Sequence, residues 1–247
     1  MPAPYAINDF VQAIPAVLQD DMHKLYPAPE DDSKTLADVL TPFVVRAINR
    51  YSKDRPQTIV SDIHSNATKD LPLPTNDAAV FDPKSSVVQQ LEYPINMQPP
   101  QTIDTSDYTL YKLPTGFVIR LFATTIPNGD VVRATWTARH PVDGSTVAEG
   151  DFYAVVDLAA SFAAEQLATI FVQIGDPVFN ADVVDYKSKS AQYQGIAKML
   201  RRRYYNHMGV DESADGAAEV KPALAVGDQW LDMQSGVGRL IHNKYTR

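Results

Sequence analysis

The sequence predicts an α+β fold, in which a small helical bundle carries an antiparallel β insertion between its second and third helices. Apolar residues recur at helical spacing in 1–56 and again in 151–209, which favours helices in both segments. Between them, residues 57–150 change to a period of two and are rich in Thr, Val, Ile and Pro, which favours strands. Residues 210–247 begin small and acidic and show no firm period, so we expect an extended C-terminal tail.

Composition limits what this chain can be. It has 247 residues, 45% of them hydrophobic, which is enough for a packed core. It contains no cysteine, which excludes disulfides, thiolate zinc sites and a cysteine nucleophile. Neither a signal peptide nor a membrane span is expected, because no charged segment followed by an apolar one opens the chain and no apolar run approaches 18 residues.

Two helices are predicted before the insertion. The first lies near 6–22 and is short or kinked, because Pro15 interrupts it. The second begins around Thr35 and is stopped by Pro56. Pro42 falls inside its apolar pattern and indicates either a kink or a later start.

The insertion is predicted to form an antiparallel meander. Its best strands are Thr109–Lys112, Phe117–Phe122 and Val131–Ala138. A turn at 127–130, which contains Pro, Asn, Gly and Asp, is expected to join the last two strands. Residues 65–86 are mostly polar and Pro-rich, so a long surface loop is expected there.

After the insertion, the pattern predicts an antiparallel pair of helices. The first runs from Phe152 to Ile174 and is apolar almost all round, as is typical of a central helix in a bundle. Gly175 to Pro177 should end it. The second covers 182–209, and only a short loop separates the two.

The helix at 182–209 is both basic and aromatic. Its residues 183–208 hold six basic residues and one acidic residue, a local charge of +5, which leaves −13 for the rest of a chain whose net charge is −8. Such asymmetry favours self-assembly over general nucleic-acid binding. A stripe at steps of three and four is expected to pack between subunits. Its main members are Tyr186, Tyr193, Leu200 and Tyr204.

The triplet Arg201, Arg202 and Arg203 in this helix has two interpretations. It is either a solvated helix end that offsets the helix dipole, or part of a ring of positive charge formed by several copies. In the second case the arginines would line a channel or a subunit interface.

Residue patterns for catalysis and cofactor binding are weak. The five histidines show no metal-ligand spacing, and no glycine-rich phosphate loop is present, so we expect no metal site and no cofactor. Asp62 and His64 alternate beside Ser61, but a polar strand edge explains them better than a catalytic triad. An enzyme would need a cleft that gathers Asp62, His64 and His140, and we expect none.

The tail at 210–247 is expected to dock on another surface, because apolar residues follow its acidic start. Trp230 fits a core position or an interface anchor equally well. The residues expected to anchor the tail are Trp230, Leu231, Leu240, Ile241 and Tyr245.

Several segments, in this order, resemble the head-to-tail adaptor proteins of tailed bacteriophages, also called connector or head-completion proteins. Together they cover most of residues 35–209. The matching segments are AINRYSKDRP at 47–56, LEYP at 91–94, LYKLPTGFVIRL at 110–121, VVRATWTARH at 131–140, DLAASFAAEQLA at 157–168 and DVVDYKSKSAQYQGIAKMLRRRYYNHMG at 182–209.

The resemblance implies a structural virion protein without catalysis. Proteins of this family form a ring, typically of twelve copies, beneath the portal of the capsid. The ring extends the channel for double-stranded DNA and offers a surface to the next neck or tail protein. A C-terminal segment commonly grips the portal, which looks like a role for 210–247. The implied location is the head–tail junction of the virion, after assembly in the host cytoplasm.

The insertion at 57–150 departs from the smallest adaptors, and two alternatives stay open. The chain could be a different neck component, such as a collar or tail-completion protein. It could also be a module that recognises carbohydrate or a host surface through the insertion, which clustered exposed aromatics on one sheet face would favour.

Overall fold

The computed structural model describes residues 5–19, 35–76, 79–173, 186–212 and 218–219. The described residues form four α-helices and several antiparallel sheets, which confirms the α+β prediction. The helices are α1 (Ile7–Val17), α2 (Leu36–Asp54), α3 (Phe152–Gln173) and α4 (Tyr186–Met208). The strands are β1 (Gln57–His64), β2 (Asp70–Leu71), β3 (Thr75–Asn76), β4 (Ala79–Val80), β5 (Val88–Glu92), β6 (Thr102–Ile103), β7 (Tyr108–Leu113), β8 (Gly116–Leu121), β9 (Val131–Ala138), β10 (Asp211–Glu212) and β11 (Ala218–Glu219).

The chain divides into two compact units. The sheet unit contains the described residues up to Ile7 and Ile48–Val147, and the helical unit contains Asn8–Ala47 and the described residues from Ala148 onward. The sequence placed the start of the insertion at 57, whereas the sheet unit begins at Ile48. The last two turns of α2 therefore belong with the strands that follow them.

Local sequence explains the start of α2. The Thr35 hydroxyl accepts a hydrogen bond from the backbone N–H of Asp38 at 3.3 Å, and the Asp38 carboxylate accepts one from the backbone N–H of Thr35 at 2.7 Å. This reciprocal pair satisfies donors that a helix start leaves free. Because the helix begins at Leu36, Pro42 lies inside it rather than at its start.

Helix α3 is the centre of the helical unit. Almost all its residues from Ala154 to Ala164 are buried. By length and composition it is apolar enough to cross a membrane, but most of it is buried inside the protein, as in the core helix of a bundle. Phe152 packs on Phe10 of α1, and Phe162 lies under the guanidinium of Arg46 of α2. Both neighbouring helices thus contact α3.

The sheet unit contains a four-stranded sheet with the order β1-β9-β5-β6 and a three-stranded sheet with the order β2-β8-β7. Its core surrounds Trp136 of β9, which is fully buried and donates a hydrogen bond to the Ser61 hydroxyl at 2.7 Å. Phe81 packs on the indole, with ring centroids 5.5 Å apart. Trp136 is therefore a core residue and offers no contact to a ligand.

The predicted meander is wrong in its last step. β7 and β8 form the expected hairpin, but β9 pairs with β1 and β5 in the other sheet. The turn before β9 is fixed to the end of β1 instead, because Ser65 and Asp130 share a backbone hydrogen bond of 2.9 Å, as do Gly129 and Ser65. The turn residues predicted a loop correctly but carried no information about which strands it joins.

The predicted surface loop at 65–86 is also wrong in part. It contains the short strands β2, β3 and β4, and it sends Leu71 and Phe81 into the core of the sheet unit. These two apolar residues are too far apart in sequence to produce a period. Burial of single side chains and the pairing of β2 with β8, rather than a repeating pattern, hold this segment to the sheets.

Candidate functional site

The candidate site is the side of α4 that faces away from α3. The two helices run antiparallel, as predicted: the Ser190 hydroxyl near the start of α4 donates to the Ala168 carbonyl near the end of α3 at 3.0 Å, and His207 near the end of α4 meets Asp151 just before α3. α4 ends where expected, with Gly209 at φ +70°. The Val210 N–H bonds the Tyr205 carbonyl at 3.0 Å, which closes the last turn.

The aromatic stripe of α4 lies inside the chain. Tyr193, Leu200 and Tyr204 are buried, and the Tyr193 ring stacks on Phe171 of α3 with centroids 5.3 Å apart. The sequence assigned these side chains to a subunit interface, and the structure corrects that assignment. α3 is the nearest apolar surface and takes up the stripe, so these side chains are unavailable to a second copy. The side chain of Tyr186, the fourth member, lies outside the described residues.

Two of the three consecutive arginines pair with acids of α3. Arg201 forms an ion pair with Glu165, and Arg203 lies 3.3 Å from the Asp157 carboxylate. One turn later, His207 approaches Asp151 at 2.9 Å. A series of charged contacts therefore follows the seam between the helices. These acidic partners were not predicted from the sequence, although acidic residues inside an otherwise apolar helix often indicate buried ion pairs.

Asp157 has an unusual environment for a carboxylate. Burial raises its pKa above the ordinary value of 3.8, and the nearby Arg203 and His207 act in the opposite direction. Desolvation disfavours the charged form, whereas a neighbouring cation favours it. Arg203 stabilises the charged form of the Asp157 carboxylate. This contact limits the freedom of Arg203 to bind another group.

Arg202 has a different position from its two neighbours. It is exposed, and neither it nor Lys198 forms an ion pair with any residue that the structure describes. The two cations stand four residues apart, so they are adjacent on one side of the helix. We call this surface the outer face of α4. It comprises Gly195, Lys198, Met199, Arg202 and Asn206, all of them exposed.

Beside the outer face, a groove of about 570 Å³ follows the seam between α3 and α4. Glu165, Lys198 and Arg201 bring charge to it, and the exposed Val172 lies among its apolar residues. The groove and the outer face share Lys198. Together they offer a cation-rich surface with only one acid, which fits an anionic or carbonyl-rich partner.

The three residues considered for catalysis, Asp62, His64 and His140, do not lie together. Asp62 forms a bidentate pair with Arg133 at 2.9 and 3.2 Å. His140 is buried elsewhere in the sheet unit, where its ring nitrogens lie 2.8 Å from the Thr146 hydroxyl and 2.9 Å from the Arg55 carbonyl. The paired register of β1 and β9 sets Asp62 and His64 at the opposite end from His140. Among the described residues, no cluster of three or more His, Asp or Glu could hold a metal ion.

The predicted anchor residues of the tail, Trp230, Leu231, Leu240, Ile241 and Tyr245, lie outside the described residues. Their proposed contact with a portal therefore stays a prediction.

Comparison with known proteins returned no matching family model and no matching curated protein. Among solved structures, this chain matches a chain in the "Virion of native gene transfer agent (GTA) particle", with a TM-score of 0.25 and 11% identity over 78% of this chain and 89% of that one. It is also similar to a chain in the "Neck of empty GTA particle computed with C6 symmetry", with a TM-score of 0.26 and 13% identity over 74% of this chain and 90% of that one.

Proposed function

We propose that this chain is a structural protein of the head–tail junction of a phage-type virion, where copies of it form a ring on the portal and extend the DNA channel. The proposal begins from the segments at 35–209 that resemble head-to-tail adaptors. The observation that carries it is the α3–α4 hairpin, whose basic outer face forms no ion pair with the residues that the structure describes.

The charge pattern supports assembly around an anion. Arg201 and Arg203 are neutralised by α3, while Lys198 and Arg202 remain available. Repeated around a ring, two cations from each copy would form a continuous basic band. Such a band contacts a phosphate backbone without reading bases, which suits DNA that passes through.

Because the aromatic stripe is buried within one chain, it cannot form the contact between subunits. The ring must therefore use other surfaces. In the helical unit, the groove beside α4 is one candidate, because it combines exposed Val172 with the charges of Glu165 and Lys198. Contact with the portal is assigned to the C-terminal segment at 220–247.

A collar or tail-completion protein would share the ring and the basic face. The two are separated by the neighbour that each binds: an adaptor binds the portal, and a tail-completion protein binds the tail tube. Cross-linking of assembled particles, followed by identification of the linked neighbour, distinguishes them.

Recognition of a carbohydrate or host surface by the sheet unit is not favoured. Exposed aromatics on one sheet face would support it, but Tyr111 of β7 and Phe117 of β8 lie on opposite faces of their sheet by register. Trp136 is buried.

A pull-down with portal rings tests the assignment of the tail. A chain without 220–247 should fold, because the described units lie outside that segment, and it should no longer bind portal rings. The full chain is the positive control. Normal binding by the shortened chain would contradict the assigned contact.

A further inference from the structure

In the sheet unit, two long strands each have one edge that pairs with no strand among the described residues. The four-stranded sheet ends in β1 and β6, and the three-stranded sheet ends in β2 and β7. β2 and β6 have two residues each, whereas β1 has eight and β7 has six. Within the part of the chain that the structure describes, β1 and β7 are therefore the edges on which another strand could pair over several residues.

β7 lacks the usual protection of an exposed edge. Natural edge strands are commonly blocked by proline, by a bulge or by several charges. β7 reads YTLYKL, has a regular register with β8 and carries one charge, Lys112. Leu110 is 36% exposed and Tyr111 is 42% exposed. The strand is thus apolar on both of its faces and open along its outer edge.

The Tyr111 side chain of β7 is held by the two strands on the paired side of β7. The Arg120 guanidinium lies 3.7 Å from the centroid of the Tyr111 ring and forms two hydrogen bonds of 2.7 Å with the Asp70 carboxylate. Tyr111 is therefore positioned by its neighbours. A rigid edge loses little freedom when a partner binds.

A cleft of about 350 Å³ borders the same strand. Three consecutive residues of β7, Tyr108 to Leu110, line this cleft. Because successive residues of a strand point to opposite faces, the cleft runs along the strand and is not confined to one face. Val87 and Phe81 supply apolar walls. The Tyr108 hydroxyl is buried and has no hydrogen-bond partner among the described residues. An added strand could fill the cleft with an apolar side chain and offer a backbone carbonyl to this hydroxyl.

We propose that β7 of one copy pairs with β1 of the neighbouring copy, so that the sheet units are joined edge to edge around the ring. The proposal rests on the ring proposed above, because a contact between two different edges repeats from copy to copy and can close a ring. Pairing of β7 with β7, or of β1 with β1, would stop at a dimer. Val60, at the centre of β1 and 51% exposed, supplies the apolar side chain.

Cysteine cross-linking tests this contact cleanly, because the natural chain has no cysteine. The full chain with Val60→Cys and Leu110→Cys is assembled on portal rings and treated with a short bis-maleimide. A ladder of covalent multimers is expected, and a mixture of the two single variants should stop at a dimer. Val60→Cys with Lys112→Cys repeats the test at a second exposed site on β7.

The matched control is Val80→Cys with Leu110→Cys, since Val80 is also an exposed valine but lies on β4. It should give no ladder. Rings of normal mass without the Val60 ladder would overturn the edge contact and leave the ring itself intact. A dimer from Leu110→Cys alone would overturn it in favour of pairing between identical edges. Failure of the unmodified chain to form rings would remove both proposals.

Discussion

Arg202 differs from Arg201 and Arg203 because of what lies opposite each side chain. Three consecutive helical residues point in directions about 100° apart, so one of them can face solvent while its neighbours meet a packed helix. Glu165 and Asp157 of α3 receive Arg201 and Arg203. The sequence places all three arginines in one motif, but among them only Arg202 forms no ion pair with the described part of the chain.

Asp157 should make the helical unit less stable as pH rises. Because burial raises its pKa, the folded protein binds the proton more tightly than the unfolded chain does. Its contribution to the free energy of unfolding therefore falls from about pH 4, the ordinary range of an aspartate, through the folded-state pKa. Asp157→Asn removes this titration. We expect the stability of the variant relative to the natural chain to increase across that window, as measured by urea unfolding at a series of pH values.

Asp70→Asn is the control with the opposite sign. Arg120 holds the pKa of Asp70 below 3.8 through a hydrogen bond. The contribution of the Asp70 carboxylate to the free energy of unfolding is therefore present above pH 3.8, the ordinary pKa of the group. It is lost as pH falls through the lower folded-state pKa. The Asp70 variant should be less stable than the natural chain at neutral pH and should approach it in acid. If Asp157→Asn shows this same dependence, the buried environment assigned to Asp157 is wrong.

At the scale of elements, the helices were more predictable than the sheets. Period and capping depend on neighbours in sequence, so α2 and the antiparallel packing of α3 on α4 agree with their predictions. Strand pairing depends on residues far apart: β9 pairs with β1, about seventy residues earlier, and no local signal indicated it. For the same reason the sequence identified the stripe of α4 but not the surface that covers it.

Burial of the stripe predicts a stability effect at Leu200. Leu200→Ala should lower the free energy of unfolding by about 2–5 kcal/mol, because a fully buried leucine leaves a cavity. Met199→Ala, one residue earlier and 52% exposed, is the matched control and should cost within about 0.5 kcal/mol. Denaturant unfolding of the isolated chain measures both. If both variants lower the free energy of unfolding by the same small amount, the stripe is not packed in the isolated chain and would be covered only by a second subunit.

The outer face of α4 predicts an assembly defect without a folding defect. Lys198→Glu with Arg202→Glu should impair ring formation or DNA retention, because four units of charge change per copy on the proposed band. Both side chains are exposed, so the unfolding midpoint should stay near that of the natural chain. Particle assembly, retained DNA and thermal unfolding are the measurements.

Lys53→Glu with Lys84→Glu provides the same change in net charge at two exposed lysines that belong to the sheet unit. This control should assemble normally. If the control fails as badly as the α4 variant, general charge explains the defect. If the α4 variant yields fully infectious particles, the outer face has no role in the channel.

In the whole molecule, the helical unit carries the basic outer face and the sheet unit carries the edge strands β1 and β7. The contact with the portal is a proposal for residues 220–247, which lie outside the described residues. The sequence alone could indicate the ring only through resemblance, since contacts between copies leave no local pattern. The burial of the stripe and of Trp136 excludes these side chains from contacts between copies.

The most direct test is a native mass measurement of the purified 27.3 kDa chain alone and after mixing with portal rings. A closed ring on the portal predicts a complex whose added mass corresponds to one fixed number of chains per portal ring. Mass measurement of the chain alone shows whether the ring needs the portal as a template. A portal mass that stays unchanged, or a broad distribution of added chains with no closed number, would contradict the proposed ring.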